Sequence, residues 1–158
     1  MKARMFLIVI AFILSNAAIA NAMPKFMRLP FRELGIVIQQ GWTYHGFQST
    51  THSATDYIKG SFNSDPSTWK SFEVVAPHGG IAKRGYETGW GNYVWIEVMV
   101  DAEIFNTVCA HLANNSSPIP SDKWIEIREG QYIGKVGDTG ATSGGLVHLH
   151  CETSKGKN

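Results

Sequence analysis

Beyond residue 22 the chain has no apolar run long enough to cross a bilayer, no excess of either charge and only two cysteines. Lys and Arg number 14 and Asp and Glu 13, a formal charge of +1. Lys2 and Arg4 lie in the first 22 residues with no acid beside them, so the remaining 136 carry 12 − 13 = −1. A general nucleic-acid binder normally shows a basic excess, and that class is set aside. Internal repeats and long amphipathic helical patterns are missing as well. There is no Gly-x-Ser-x-Gly and no His-Glu-x-x-His, which removes support for a serine hydrolase or a helical zinc protease. Gly134-Lys135 has neither the spacing nor the following Ser or Thr of a phosphate-binding loop. The two cysteines, Cys109 and Cys151, allow at most one bridge. On regular strands Cys109 shares a face with His111, and Cys151 lies opposite to His150. If those histidines share a pocket, the two thiols point different ways, which argues against the bridge.

Apolar residues make up 44% of the 158, with five Trp, eight Phe and five Tyr, enough to build a core rather than a disordered chain. The N-terminus is organised for export. Lys2 and Arg4 precede the apolar run Phe6–Leu14, and small residues follow at Ala18-Ile-Ala20 and Ala20-Asn-Ala22. This is the pattern of a secretory signal peptide over residues 1–22. The expected product is secreted or periplasmic, with no stable membrane span after cleavage. Residues 23–45 form a short lead-in broken by Pro24 and Pro30.

The remainder reads as strands and turns, one all-β domain. Tyr93–Val100 is long and β-branched enough for a central strand. Asp101-Ala102 turns it into a partner strand over Ile104–His111. Shorter strands are expected at Leu34–Ile38, Asp56–Ile58, Phe72–Ala76, Ile81–Lys83, Trp124–Ile127, Tyr132–Val136 and Leu146–Glu152. Gly137–Gly145 holds four glycines and is a loop. Strands at roughly ten-residue spacing with Gly turns between them predict antiparallel sheets in a sandwich or half-barrel.

Chemistry concentrates in the histidines. His52-Ser-Ala-Thr-Asp56 places an imidazole and a carboxylate four apart, on one side of a strand or helix. His148-Leu-His150 places two imidazoles on one strand face. Three of these four side chains could ligate a catalytic zinc, which typically takes three protein ligands and a water. The spare imidazole would then serve the water as acid or base. Spacing does not choose between His148 and His150 as the ligand. His111, in Ala110-His111-Leu112, reads by itself as a half-buried histidine. His45 and His78 read as surface residues, and Trp90, Trp95 and Trp124 as packing residues with one of them near substrate at most.

Six ordered stretches resemble the LytM/lysostaphin-type zinc endopeptidases, which cut peptide bonds in bacterial peptidoglycan. They are His52–Asp56, Ala76-Pro-His-Gly-Gly80, Gly91-Asn-Tyr-Val94-Trp-Ile96, Cys109-Ala-His111-Leu112, Gly130–Gly140 and His148-Leu-His150-Cys-Glu152. The resemblance implies a lysostaphin-like fold with an open groove (the duplicated hybrid motif) over residues 46–158. It implies one Zn2+ ion held by His52, Asp56 and His150, with His111 and His148 as unligated catalytic imidazoles, and peptidoglycan peptides as substrate. His148 is assigned the proton transfer and His111 the oxyanion. A non-catalytic domain of the same fold, binding wall or a partner protein, is the alternative; a closed structural zinc site is a third reading. Cys109 and Cys151 stand where the family usually has Tyr and Phe, and Ala54 where it mostly has Gly. The link from Ile58 to Phe72 is longer than usual. The family generally runs on past the point where this chain ends, which reads as a shortened C-terminus.

Overall fold

The computed structural model describes residues 27–41 and 53–156. The all-β expectation holds. Among the described residues nine strands run in chain order: β1 Ile36–Gln40, β2 Ser53–Lys59, β3 Glu73–Val75, β4 Gly80–Glu87, β5 Gly91–Val100, β6 Glu103–Leu112, β7 Ile125–Ile127, β8 Tyr132–Lys135 and β9 Leu149–Lys155. Seven form one antiparallel sheet in the order β1-β2-β9-β6-β5-β4-β7, and β3 pairs with β8 in a second, two-stranded sheet. No helix among the described residues is long and apolar enough to cross a membrane.

The two sheets share one core. Val74 of β3 and Ile133 of β8 pack in the same buried cluster as Val94, Ile96, Cys109, Leu112 and Leu149 of the large sheet. The β5 sequence explains its central place, since Val94 and Ile96 point inward at 0% exposure while Tyr93, Trp95 and Glu97 face the other way. Strand β1 adds itself to the edge beside β2. Phe31 anchors the segment before it by edge-to-face contacts with Tyr57, at 5.2 Å, and Phe72, at 5.8 Å. Glu33 reinforces this by pairing with Lys59 and accepting from the Glu73 backbone N–H.

The expected turn at Asp101-Ala102 closes the β5–β6 hairpin, and both residues are left-handed, at φ 51° and 64°. A two-residue hairpin of this kind favours Asn-Gly or Asp-Gly, and an alanine pays for its Cβ there. Ala102→Gly is therefore expected to raise stability by about 0.5–1 kcal/mol. Chemical denaturation measures it; an unchanged or lowered midpoint would contradict the strain.

Two sequence expectations are corrected. His78 is not a surface residue: it is 2% exposed, its Nδ1–H donates to the Gly79 carbonyl at 2.8 Å, and its Nε2 meets the Thr107 hydroxyl at 2.9 Å. The bond to Thr107 holds the ring against β6. Burial accordingly pulls the His78 pKa below its ordinary value. Trp124 is not a packing residue, being 42% exposed. Ala54 is buried with no positive φ, so the usual glycine is not required at its position.

Candidate active site

Strands β2, β6 and β9 lie side by side, and this adjacency assembles the site. Asp56 on β2 is the register partner of His150 on β9, and Ala110 on β6 faces His150 from the other side. His111 follows Ala110 and would point to the opposite face if β6 stayed regular. It does not: His111 takes φ 59°, a left-handed conformation unusual for a residue with a Cβ. Three backbone-directed bonds hold it there. Its N–H donates to the Trp90 carbonyl at 2.9 Å and its carbonyl accepts from the Gly137 N–H at 2.8 Å. Its ring Nδ1–H donates to the Thr139 carbonyl at 2.7 Å.

The glycine-rich loop supplies that last acceptor. Gly91 and Gly140 meet backbone to backbone, since a Cβ on Gly91 would lie 2.3 Å from the Thr139 carbonyl carbon and one on Gly140 would lie 2.3 Å from the Gly91 nitrogen. Only glycine permits this approach. The Thr139 hydroxyl then donates to the Leu112 carbonyl at 2.8 Å and accepts from the Asn92 N–H at 3.0 Å. The loop is thereby locked over His111.

The result is a cluster of three imidazoles. The ring centroid of His111 lies 4.6 Å from that of His148 and 5.7 Å from that of His150. His148 donates its Nδ1–H to the Leu146 carbonyl at 3.0 Å. A carbonyl can only accept, so in the neutral forms of His111 and His148 the proton sits on Nδ1 and Nε2 is an acceptor. Burial pulls the His111 pKa down to about 4, with the neighbouring His148 and His150 pulling the same way against the Thr139 carbonyl and Asp56. His111 is therefore neutral at pH 7.

His150 has the opposite character. Its Nδ1 lies 2.8 Å from Asp56 Oδ1 and its Nε2 lies 2.6 Å from Glu152 Oε1. Burial alone would lower its pKa, but the hydrogen bonds and charges of Asp56 and Glu152 outweigh it and raise it to about 9. These side chains line a groove of about 360 Å³ together with Gln40, Glu87, Trp90 and Thr142. A larger depression of about 600 Å³ lies elsewhere, against Ile81, Val98, Met99 and Ile104. It is mainly apolar and carries no histidine, so the chemistry belongs to the smaller groove.

The structure thus brings together four of the five residues singled out in the sequence: Asp56, His111, His148 and His150. The fifth, His52, lies outside the described residues, as does His45. Among the described residues no group of three or more His, Cys, Asp or Glu is placed to hold a metal ion. Asp56 and His150 nonetheless present a carboxylate oxygen and a ring nitrogen to each other, which is the donor chemistry zinc takes. Glu152 holds the far nitrogen of His150, the carboxylate–imidazole arrangement that orients a metal-ligating histidine. Glu152 received no role in the sequence, although its place two residues after His150 on a strand put it on the same face. Thr139 could not have been found that way, because its part depends on a loop folding back across β5.

A family model described as "Peptidase family M23" matches residues 65–158. The chain belongs to peptidase family M23. The matched stretch contains His111, His148 and His150, while His52 and Asp56 precede it. Two solved chains share the fold of this M23 domain. One, from the "Crystal Structure of SpoIIIAH and SpoIIQ Complex", superposes with a TM-score of 0.59 at 19% identity, covering 82% of this chain and 92% of that one. The other, from the "Structure of the SpoIIQ-SpoIIIAH pore forming complex", has a TM-score of 0.55 at 14% identity, covering 82% and 88%. No curated protein matches the chain.

Proposed function

We propose that this M23 domain is an exported zinc-dependent endopeptidase that hydrolyses peptide bonds in peptidoglycan. The observation that carries the reading is the convergence of His111, His148 and His150 with Asp56 in one groove of a chain from a peptidase family. We assign Asp56, His150 and His52 as the residues that would hold one Zn2+ ion. When bound, the ion supplies Lewis acidity and lowers the pKa of a water toward ~7.

The chain's own groups do the rest. Glu152 fixes the His150 ring so that Nδ1 faces Asp56. His148, with its Nδ1–H tied to Leu146, offers Nε2 to take the proton of the attacking water and return it to the leaving amine. His111, held by Thr139, also offers Nε2 to the groove. Being neutral, it has no proton there, so it first accepts from the attacking water. It can donate to the developing oxyanion only after taking one of that water's two protons, His148 taking the other. Trp90 and Thr142 form the wall beside these rings. Residues 1–22 act as the export signal, and the product works in the secreted or periplasmic space.

The alternative, a non-catalytic domain that engages wall or a partner protein, has in its favour that both structural neighbours were solved within protein complexes. Zymography on purified peptidoglycan separates the two. Clearing is expected that disappears with a chelator and returns with added Zn2+. No clearing under any metal condition, with the protein still binding wall, would establish the alternative. Clearing that persists in zinc-stripped protein would overturn the zinc mechanism.

A further inference from the structure

Cys109 and Cys151 are the family's unusual positions, and their geometry differs from the sequence expectation. They are direct cross-strand partners on β6 and β9, with Sγ atoms 3.9 Å apart and both thiols free. The expectation that they point apart assumed unbroken alternation from Cys109 to His111. The left-handed turn at His111 breaks it, so His111 reaches the groove while Cys109 stays on the face shared with Cys151.

A directly opposed antiparallel pair sets its Cβ atoms roughly 4.5–5.5 Å apart, just wider than the 3.5–4.5 Å of a disulfide. Closing the sulfurs from 3.9 Å to bonding distance requires a movement of about 2 Å, within reach of side-chain rotation and a slight approach of the strands. Cys109 is completely buried in the core, whereas Cys151 is half-buried and opens onto a cavity of about 320 Å³ between Met27, Arg28, Tyr57 and Thr153. One sulfur is thus reachable and the other waits behind it. Export, as the N-terminus indicates, would bring the pair into surroundings where disulfides persist.

We propose that Cys109 and Cys151 are a redox modification site: a reversible cross-strand disulfide, formed by exchange with a small-molecule disulfide of the glutathione class, that staples β6 to β9 behind the groove. The Cys151 thiolate attacks one sulfur of the oxidant through the cavity. This forms a mixed disulfide and releases one thiol. Cys109 then loses its proton and attacks the Cys151 sulfur, releasing the second thiol. Two protein thiols and one disulfide become one protein disulfide and two small thiols. Contact with the Cys151 thiol, then burial, holds the Cys109 thiol well above its ordinary pKa in the free pair. The burial persists in the mixed disulfide, so the second step quickens as pH rises. The bridge joins the strand that carries His111 to the strand that carries His150, on the face turned away from both, and it does not depend on the peptidase reading.

The test equilibrates the folded full chain with reduced or oxidised glutathione, quenches in acid, unfolds and alkylates. Two alkylated thiols are expected from the reduced sample and none from the oxidised one. Peptide mapping should show the Cys109 peptide joined to the Cys151 peptide, two hydrogens lighter than their sum. The melting temperature should rise by roughly 5–10 °C on oxidation and fall back with dithiothreitol. Cys109→Ala should stop at a glutathione adduct on Cys151, and Cys151→Ala should leave Cys109 unmodified. The proposal is overturned if oxidised wild type retains both thiols, or ends as the Cys151 adduct with Cys109 still alkylatable. Should either variant fail to fold, the wild-type mapping decides alone.

Discussion

His148→Ala is expected to lower kcat on purified peptidoglycan by roughly 10²–10⁴-fold, the range a positioned acid–base group contributes. Zinc content should be unchanged, because the His148 ring is tied to Leu146 and is not assigned to the metal. The same holds for His111→Ala, with one difference that tells the two apart. His111 sits at φ 59°, and although His111→Ala loses the ring bond to Thr139, the backbone bonds to Trp90 and Gly137 remain and should hold the turn. A folded, zinc-loaded His111→Ala protein with a kcat deficit would mark it as chemical. Wild-type turnover in either variant would remove that residue from the mechanism. The pH profile of kcat in each single variant then shows which imidazole moves the proton.

Zinc affinity is expected to rise steeply with pH, by roughly 50-fold between pH 7 and 9. His150 must surrender a proton to ligate, and Asp56 and Glu152 together hold that proton to about pH 9. Calorimetric titration in buffers of different ionisation enthalpy should count about one proton released per ion near pH 7 from this residue. The metal-free chain is expected to show the reverse dependence in its stability. The folded pKa lies above the unfolded value of ~6.5, so the stabilisation is complete below about pH 6.5 and is lost as pH rises through about 9. The shift corresponds to about 3 kcal/mol. Metal-free protein should therefore melt lower at pH 9 than at pH 7, while zinc-loaded protein should not. Glu152→Gln should flatten both effects, since it removes one of the two carboxylates that hold the proton. An affinity independent of pH over this range would refute His150 as a zinc ligand.

The strand pattern was legible because alternation and turn chemistry are local. Val94 and Ile96 against Trp95 and Glu97 mark β5 on sight, and Asp101-Ala102 marks its turn. Glu152 beside His150 could have been read for the same reason, since a two-residue spacing on β9 fixes a common face, whereas Asp56 was singled out by its spacing from His52, which lies outside the described residues. The two misreadings have different causes. At the cysteines, strand alternation was carried across the left-handed turn at His111; at His78, a position beside a turn reads as exposed, whereas Thr107 of β6 receives its ring in the interior.

What the sequence alone determined is the all-β class, the family, and that its histidines are the residues in which the chemistry concentrates. Only the tertiary structure decided that β2, β6 and β9 are neighbours, that His111 turns into the groove, and that Cys109 meets Cys151. The physical reason is that pairing between strands distant along the chain is selected by packing of the whole sheet. A left-handed histidine persists because Trp90, Gly137 and Thr139, brought from three separate segments, together outweigh its local strain.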